Sequence, residues 1–211
     1  MAISDNLFST IKDDILTGKL KSGEKLTEKV ICNQYSISRT PVREALQKLE
    51  MEGLVESIPN RGFFVLGLTA RDYEDMFTLR KLYEIQAFSW AVERASDQER
   101  ESIEELFELM EFYTMKKDVA KMLTINMNFH QMIYKASHNR ILANLLSSYQ
   151  QMLKYVDNTR KNYNNYLLDV FTEHKAIYEA FNSRDVDAGV TAITTHLDNS
   201  KLRYLKSIKL L

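Results

Sequence analysis

The sequence predicts a mostly α-helical protein, an N-terminal winged helix-turn-helix followed by an all-helical antiparallel bundle of about six helices. Three observations predict it. Residues 36–66 read as a proline-started helix running into a strand, a turn and a strand; apolar residues recur at helical spacing almost everywhere else. Both prolines and five of the six glycines lie in the first 67 residues, so the remaining 144, with only Gly189, should be almost purely helical. A chain of 211 residues is long enough for two small domains with separate cores, expected at 1–67 and 69–211 with Gly67-Leu68-Thr69 as the joint.

In the first domain, Ile3, Leu7, Ile11 and Ile15 repeat every four residues and define a helix that stops near Gly18. A loop from Lys19 to Leu26 follows. Thr27 is placed to cap a short helix through Gln34, with Val30 and Ile31 facing inward, and Tyr35-Ser36-Ile37 makes the turn. Ser38 or Thr40 can cap the next helix, and Pro41 suits its first turn, where the missing N–H is not needed. Val42, Ala45, Leu46 and Leu49 form one apolar face; Arg39, Thr40, Arg43 and Gln47 fall opposite it or at its leading edge. Gly53 ends the helix. Leu54 to Ile58, then Pro59-Asn60-Arg61-Gly62, then Phe63 to Leu66 read as a hairpin with Arg61 at its tip.

A helix with a core side and a donor-rich side, followed by a basic-tipped hairpin, suits entry into a DNA groove by the helix N-terminus. Taken alone, Arg39 and Arg43 would read as an ordinary solvated face; the surrounding pattern favours DNA. Arginine can bond guanine edges bidentately or hold phosphate, and the sequence leaves both open. Lys29, Lys48 and Arg61 can add phosphate contacts. Residues 1–67 hold nine Lys plus Arg against nine Asp plus Glu, so any basic surface must be local, and binding should be steeply salt dependent.

Six helical segments follow: Thr69 to Ala95, Asp97 to Tyr113 with Asp97 as cap, Asp118 to Ser137, Asn139 to Arg160, Asn165 to Asn182, and Asp185 to about Ser207. The short polar turns between them imply antiparallel neighbours. No apolar run of 18 residues and no signal peptide is present, which predicts a cytoplasmic protein without a membrane partner. Cys32, the sole cysteine, is expected to be a packed hydrophobe.

His130, His174 and His196 lie on three different segments among apolar neighbours. Singly, each would be an ordinary hydrogen-bonded core residue. His174 and His196, however, are equidistant from position 185, in the turn joining the last two helices, so an antiparallel hairpin sets them at one level. Asn126 lies one turn before His130 on the same face. Three imidazoles and an amide oxygen make a donor set for a first-row divalent metal. A hydrolytic site is a further reading, but no general base accompanies the histidines: Glu173 points about 100° from His174 on its helix, and Asn126 cannot take up a proton. His138, in a loop, is read as surface.

Two stretches carry a family resemblance. Ser38-Arg39-Thr40-Pro41-Val42-Arg43-Glu44-Ala45-Leu46, then Leu49-Glu50-x-x-Gly53-Leu54 and Asn60-Arg61-Gly62, resemble the signature of the GntR superfamily. Gly18-x-Leu20-x-x-Gly23-x-x-Leu26 also matches, with Ser22 where proline is usual. The resemblance implies a winged helix that reads a short palindrome as a homodimer, with DNA contacts at Lys29, Ser38, Arg39, Thr40, Arg43, Arg61 and Gly62. Lys29 stands where arginine or another polar residue is common.

Leu79-Arg80-x-x-x-Glu84, Phe129-His130, Glu173-His174 and His196-Leu197 resemble the C-terminal ligand-binding domain of the FadR branch. That implies a divalent metal ion (zinc first, nickel or manganese as alternatives) held at a cavity floor by an aspartate and three histidines. The aspartate is Asn126 here, which leaves a bound ion one charge less compensated. Either the metal is held more loosely and leans on an anionic effector, or the histidines bind the effector directly. The resemblance further implies a small-molecule carboxylate effector gripped by Arg80. Tyr83, Glu84, Tyr134 and Tyr178 are further candidates for the pocket wall, which the resemblance does not itself supply. The expected function is an effector-responsive transcription regulator of the repressor type. A metal-free regulator sensing an acyl thioester is the alternative, and the histidine triad argues against it.

Overall fold

A computed structural model describes residues 3–157 and 164–208, with side chains over 3–153 and 166–206. The chain divides into two compact units, Met1–Tyr73 and Glu74–Leu211. The division falls in the first turns of the helix that follows Gly67-Leu68-Thr69, a few residues beyond the expected joint.

In the first unit, α1 (Ile3–Leu16), β1 (Lys25–Leu26), α2 (Glu28–Tyr35), α3 (Arg39–Met51), β2 (Val55–Ile58) and β3 (Gly62–Val65) follow in order. Leu7, Ile11 and Ile15 of α1 are buried, as are Val42, Ala45, Leu46 and Leu49 of α3, which packs on α1. Ile3 departs from the expected stripe and is exposed at the helix start. Val30 is exposed too; α2 is only eight residues long and buries Ile31 alone. The chain leaves α3 through Gly53, whose φ of +70° suits glycine. There the Leu54 N–H donates to the Leu49 carbonyl at 3.0 Å.

The wing has three strands in the order β1-β3-β2, all antiparallel. β1 lies inside the stretch Lys19 to Leu26 that the sequence presents as a loop. Two residues show no alternation, and only the pairing of Lys25 with Phe64 and of Leu26 with Phe63 makes them a strand. Cys32 is half-buried.

In the second unit, α4 (Ala70–Arg94) leads into α5 (Asp97–Met115), α6 (Val119–Ala136), α7 (Arg140–Asp157), α8 (Asn164–Asn182) and α9 (Val186–Ile208). The end expected at Arg160 lies outside the described residues. Side chains start α4, α5, α6, α7 and α9. Thr69 and Asp72 bond reciprocally, and Asp118, Asn139 and Asp185 each accept a backbone N–H three residues on. At α5 the cap is Ser96 rather than Asp97, forming a capping box with Glu99. The core gathers Phe88, Met110, Met122, Phe129, Leu167 and Phe181, with α5 packed on α6 and α8, and α8 on α9. Among the described residues no helix is long and apolar enough to cross a membrane.

Candidate DNA-recognition surface and histidine cluster

Ser38 occupies the N-cap position of α3 in extended backbone, and its hydroxyl makes no capping bond. Arg39, Thr40 and Arg43 are exposed along the first turns, opposite the buried face. The Arg43 Nε donates to Glu28 Oε1 of α2 at 2.8 Å, in an exposed pair. Lys29 is exposed on α2. At the wing, Asn60 and Gly62 adopt φ of 61° and 95°, and the Arg61 guanidinium lies 5.5 Å from the Phe64 ring centre. Lys25 was not among the sequence-based candidates. Its ammonium lies 5.9 Å from the same ring because β1 registers Lys25 against Phe64. Lys48 is instead paired with Asp5 at 2.6 Å.

The three histidines of the second unit converge. One ring nitrogen of each lies within 4.8 Å of the others, and all three residues are buried. The hairpin of α8 and α9 sets the His174 and His196 rings 4.5 Å apart; α6 brings His130 to 4.9 Å and 5.2 Å from them. His174 Nδ1 donates to the Val170 carbonyl at 2.7 Å, and its Nε2 lies 2.9 Å from His130 Nε2. His196 Nδ1 lies 2.9 Å from Glu173 Oε2.

A cavity of about 220 Å³ opens on this cluster, its wall including Arg80, Asn126, His130, Gln150, His196 and Arg203. Asn126 Oδ1 and Gln150 Oε1 are buried and have no hydrogen-bond partner among the described residues. The Gln150 amide is oriented by its Nε2, which donates to the Met127 carbonyl at 3.1 Å. An orphaned buried oxygen costs about 1–3 kcal/mol and calls for a partner. Three converging imidazoles with such an oxygen one turn before His130 fit a divalent cation.

Arg80 is buried and bonded through Nε to Glu84 Oε1 at 2.5 Å. Tyr134 and Tyr83 are not among the cavity's lining residues, contrary to expectation. The Tyr134 hydroxyl donates to Glu84 Oε1 at 2.6 Å, and Tyr83 packs against the cluster of Ala87, Tyr134, Leu142 and Leu146. Tyr178 stacks on Phe107, with ring centres 4.2 Å apart. Helical phase turns Glu173 away from His174. It reaches His196 on the neighbouring helix instead, and takes further bonds from Asn199 and, through both terminal nitrogens, from Arg203. His138 is exposed beside Glu99.

Electrostatics follow from this packing. Burial, with His196 and His130 adding, pushes the His174 pKa well down; burial outweighs Glu173 and lowers His196 to about 4. Both rings are therefore neutral, the form that ligates metal. Burial alone would raise Glu84, but Arg80 and His130 hold it far below the usual carboxylate range. Burial likewise opposes ionisation of Glu173, yet bonds from Arg203 and His196 bring it to about 2.

The FCD domain family matches residues 75–199, more than half of the chain, and the gntR family of bacterial regulatory proteins matches residues 3–65. The chain belongs to the gntR family and carries an FCD domain. It is 26% identical to the uncharacterized HTH-type transcriptional regulator YdhC of Bacillus subtilis, over 95% of this chain and 90% of that protein. It is also 26% identical to the galactonate operon transcriptional repressor of Escherichia coli, over 97% of each. The solved structure of E. coli McbR/YncC superposes with a TM-score of 0.74 at 21% identity, covering 99% of both chains, which shows the shared fold. Membership makes this GntR protein a DNA-binding transcription regulator rather than an enzyme. The hydrolytic reading of the histidines is thereby set aside.

Proposed function

We propose that this GntR regulator is a cytoplasmic repressor that binds a palindromic operator as a homodimer and senses a small organic acid at a metal-containing pocket. The observation that carries the sensing half is the convergence of His130, His174 and His196 beside an Asn126 oxygen that no described residue pairs with, at the wall of a cavity that also includes two arginines. Asn126, His130, His174 and His196 would hold the ion, zinc first, with nickel or manganese as alternatives. When bound, it supplies positive charge that attracts an anionic ligand. Arg80 adds guanidinium donors for a carboxylate, Arg203 adds positive charge to the wall while it holds Glu173, and the Gln150 oxygen accepts from a hydroxyl or amine on the same molecule. One full-length relative is named for an operon of galactonate, itself a carboxylate. Tyr134 acts by holding Glu84 rather than by touching the effector.

On the DNA side, Ser38, Arg39, Thr40 and Arg43 would enter the major groove, with Lys29, Arg61, Gly62 and the added Lys25 on the backbone beside it. A homodimer supplies two such units for half-sites about one helical turn apart. The effector needs only a different affinity for the DNA-competent and incompetent arrangements. Elemental analysis of chelator-free protein tests the reading first. About one divalent ion per chain supports it; none after attempted remetallation turns the triad into a direct effector pocket.

A further inference from the structure

The outer nitrogens of the histidine cluster face fixed acceptors. A carbonyl can only accept, so His174 keeps its proton on Nδ1, toward Val170. Both Glu173 oxygens already accept, from Asn199 and from the two Arg203 nitrogens, so His196 donates to Oε2 through its Nδ1 as well. Both Nε2 atoms are then bare lone pairs. His130 Nε2 lies 2.9 Å from His174 Nε2, and without an ion a proton must sit between them. Ligation by His130 requires that proton on its Nδ1 instead, and the neighbour of Nδ1 is Glu84 Oε2 at 3.5 Å.

Each glutamate is itself braced. Glu173 is held by Asn199 at 2.8 Å and by two Arg203 N–H groups at 2.7 Å; Glu84 is held by Arg80 and Tyr134. Resting on the metal reading above, we propose that Glu173 and Glu84 are positioning residues. Glu173 holds His196 in the Nδ1–H form and Glu84 receives the His130 Nδ1–H once a cation displaces the proton from Nε2, which turns the Nε2 lone pairs onto that cation. Such anchoring raises ligand basicity and fixes ring orientation. It matters more in this chain than in one with an aspartate ligand, because Asn126 brings no charge.

The test uses the full chain with 15N-labelled histidine, in metal-free form and with zinc. Long-range 1H–15N spectra report which ring nitrogen carries the proton, and competition with a chromophoric chelator reports zinc affinity. The His196 signals are assigned by their loss in His196→Gln. Wild-type His196 should show the Nδ1–H pattern, Glu173→Gln should mix the tautomers and weaken zinc about 10- to 100-fold, and Glu173→Asp should recover part of that loss. Glu84→Gln strands the buried Arg80 charge, so it is paired with Arg80→Met, and the double variant should also weaken zinc. An Nε2–H pattern at wild-type His196, or zinc affinity in Glu173→Gln within twofold of wild type, overturns the assignment. A wild-type chain that takes up no zinc, nickel or manganese refutes the metal reading instead. In that case the metal-free spectra decide for Glu173, which gains support if Glu173→Gln changes the His196 tautomer and loses it if nothing changes.

Discussion

Gly189→Ala should destabilise the helical domain, although on propensity alone it should strengthen α9. Alanine in a helix interior is worth about 1 kcal/mol over glycine. Against this, a Cβ at Gly189 would lie 2.0 Å from Phe88 Cε1 and 2.3 Å from Cζ. Carbon atoms pack at about 3.5 Å or more, so the ring edge must retreat by about 1.5 Å. Phe88 is fully buried and meets Phe181 edge-on with ring centres 6.2 Å apart, so it has nowhere to go without moving its neighbours. Overpacking of this kind costs about 3 kcal/mol at the upper end of its usual range, leaving a net loss of about 2 kcal/mol. In a domain of this size that lowers Tm by roughly 4–8 °C. The cost should also reach the site, because α9 carries His196 two turns beyond Gly189. Thermal and urea unfolding of Gly189→Ala, Phe88→Leu and the double variant measure it. The smaller leucine should relieve the clash, giving a coupling of about 1–2 kcal/mol. A Gly189→Ala protein as stable as wild type, or more so, would refute the packing argument.

Replacing Arg43 with alanine should abolish specific operator protection in footprinting while the circular dichroism of the protein stays unchanged; full protection would remove α3 as the reading helix. Lys25→Ala should weaken binding about equally on operator and random DNA and reduce the salt slope by about 0.9, the signature of one lost phosphate contact; an unchanged slope would take Lys25 off the interface. His174→Ala should lower metal content and abolish the stabilisation that added zinc gives the wild type, about 2.7 kcal/mol at a hundredfold excess over Kd. Equal zinc-induced Tm shifts in the two proteins would count against the cluster as a metal site.

Helical phase and punctuation made the winged helix and the six-helix bundle legible, since they are repeated locally along the chain. The stripe Val42, Ala45, Leu46, Leu49 and the caps Asp118, Asn139 and Asp185 each involve residues within a turn or two of one another. Even the pairing of His174 with His196 followed from sequence, because a hairpin turns equal separation along the chain into equal height. Local phase was less informative at element ends, where Ile3 and Val30 face solvent.

The sequence by itself thus determined which segments are helical, which face of each is apolar and which histidines are candidates to meet. Tertiary structure alone decided what stands behind them: Glu173 reaching His196 and Arg203, Tyr134 turned onto Glu84 instead of into the cavity, and Lys25 drawn to the wing by a two-residue strand. The physical reason is that periodicity fixes the direction of a side chain relative to its own helix axis. The rotation and offset between helices, which set a carboxylate 2.9 Å from one imidazole and turn it from another beside it in sequence, arise from the packing of the whole core.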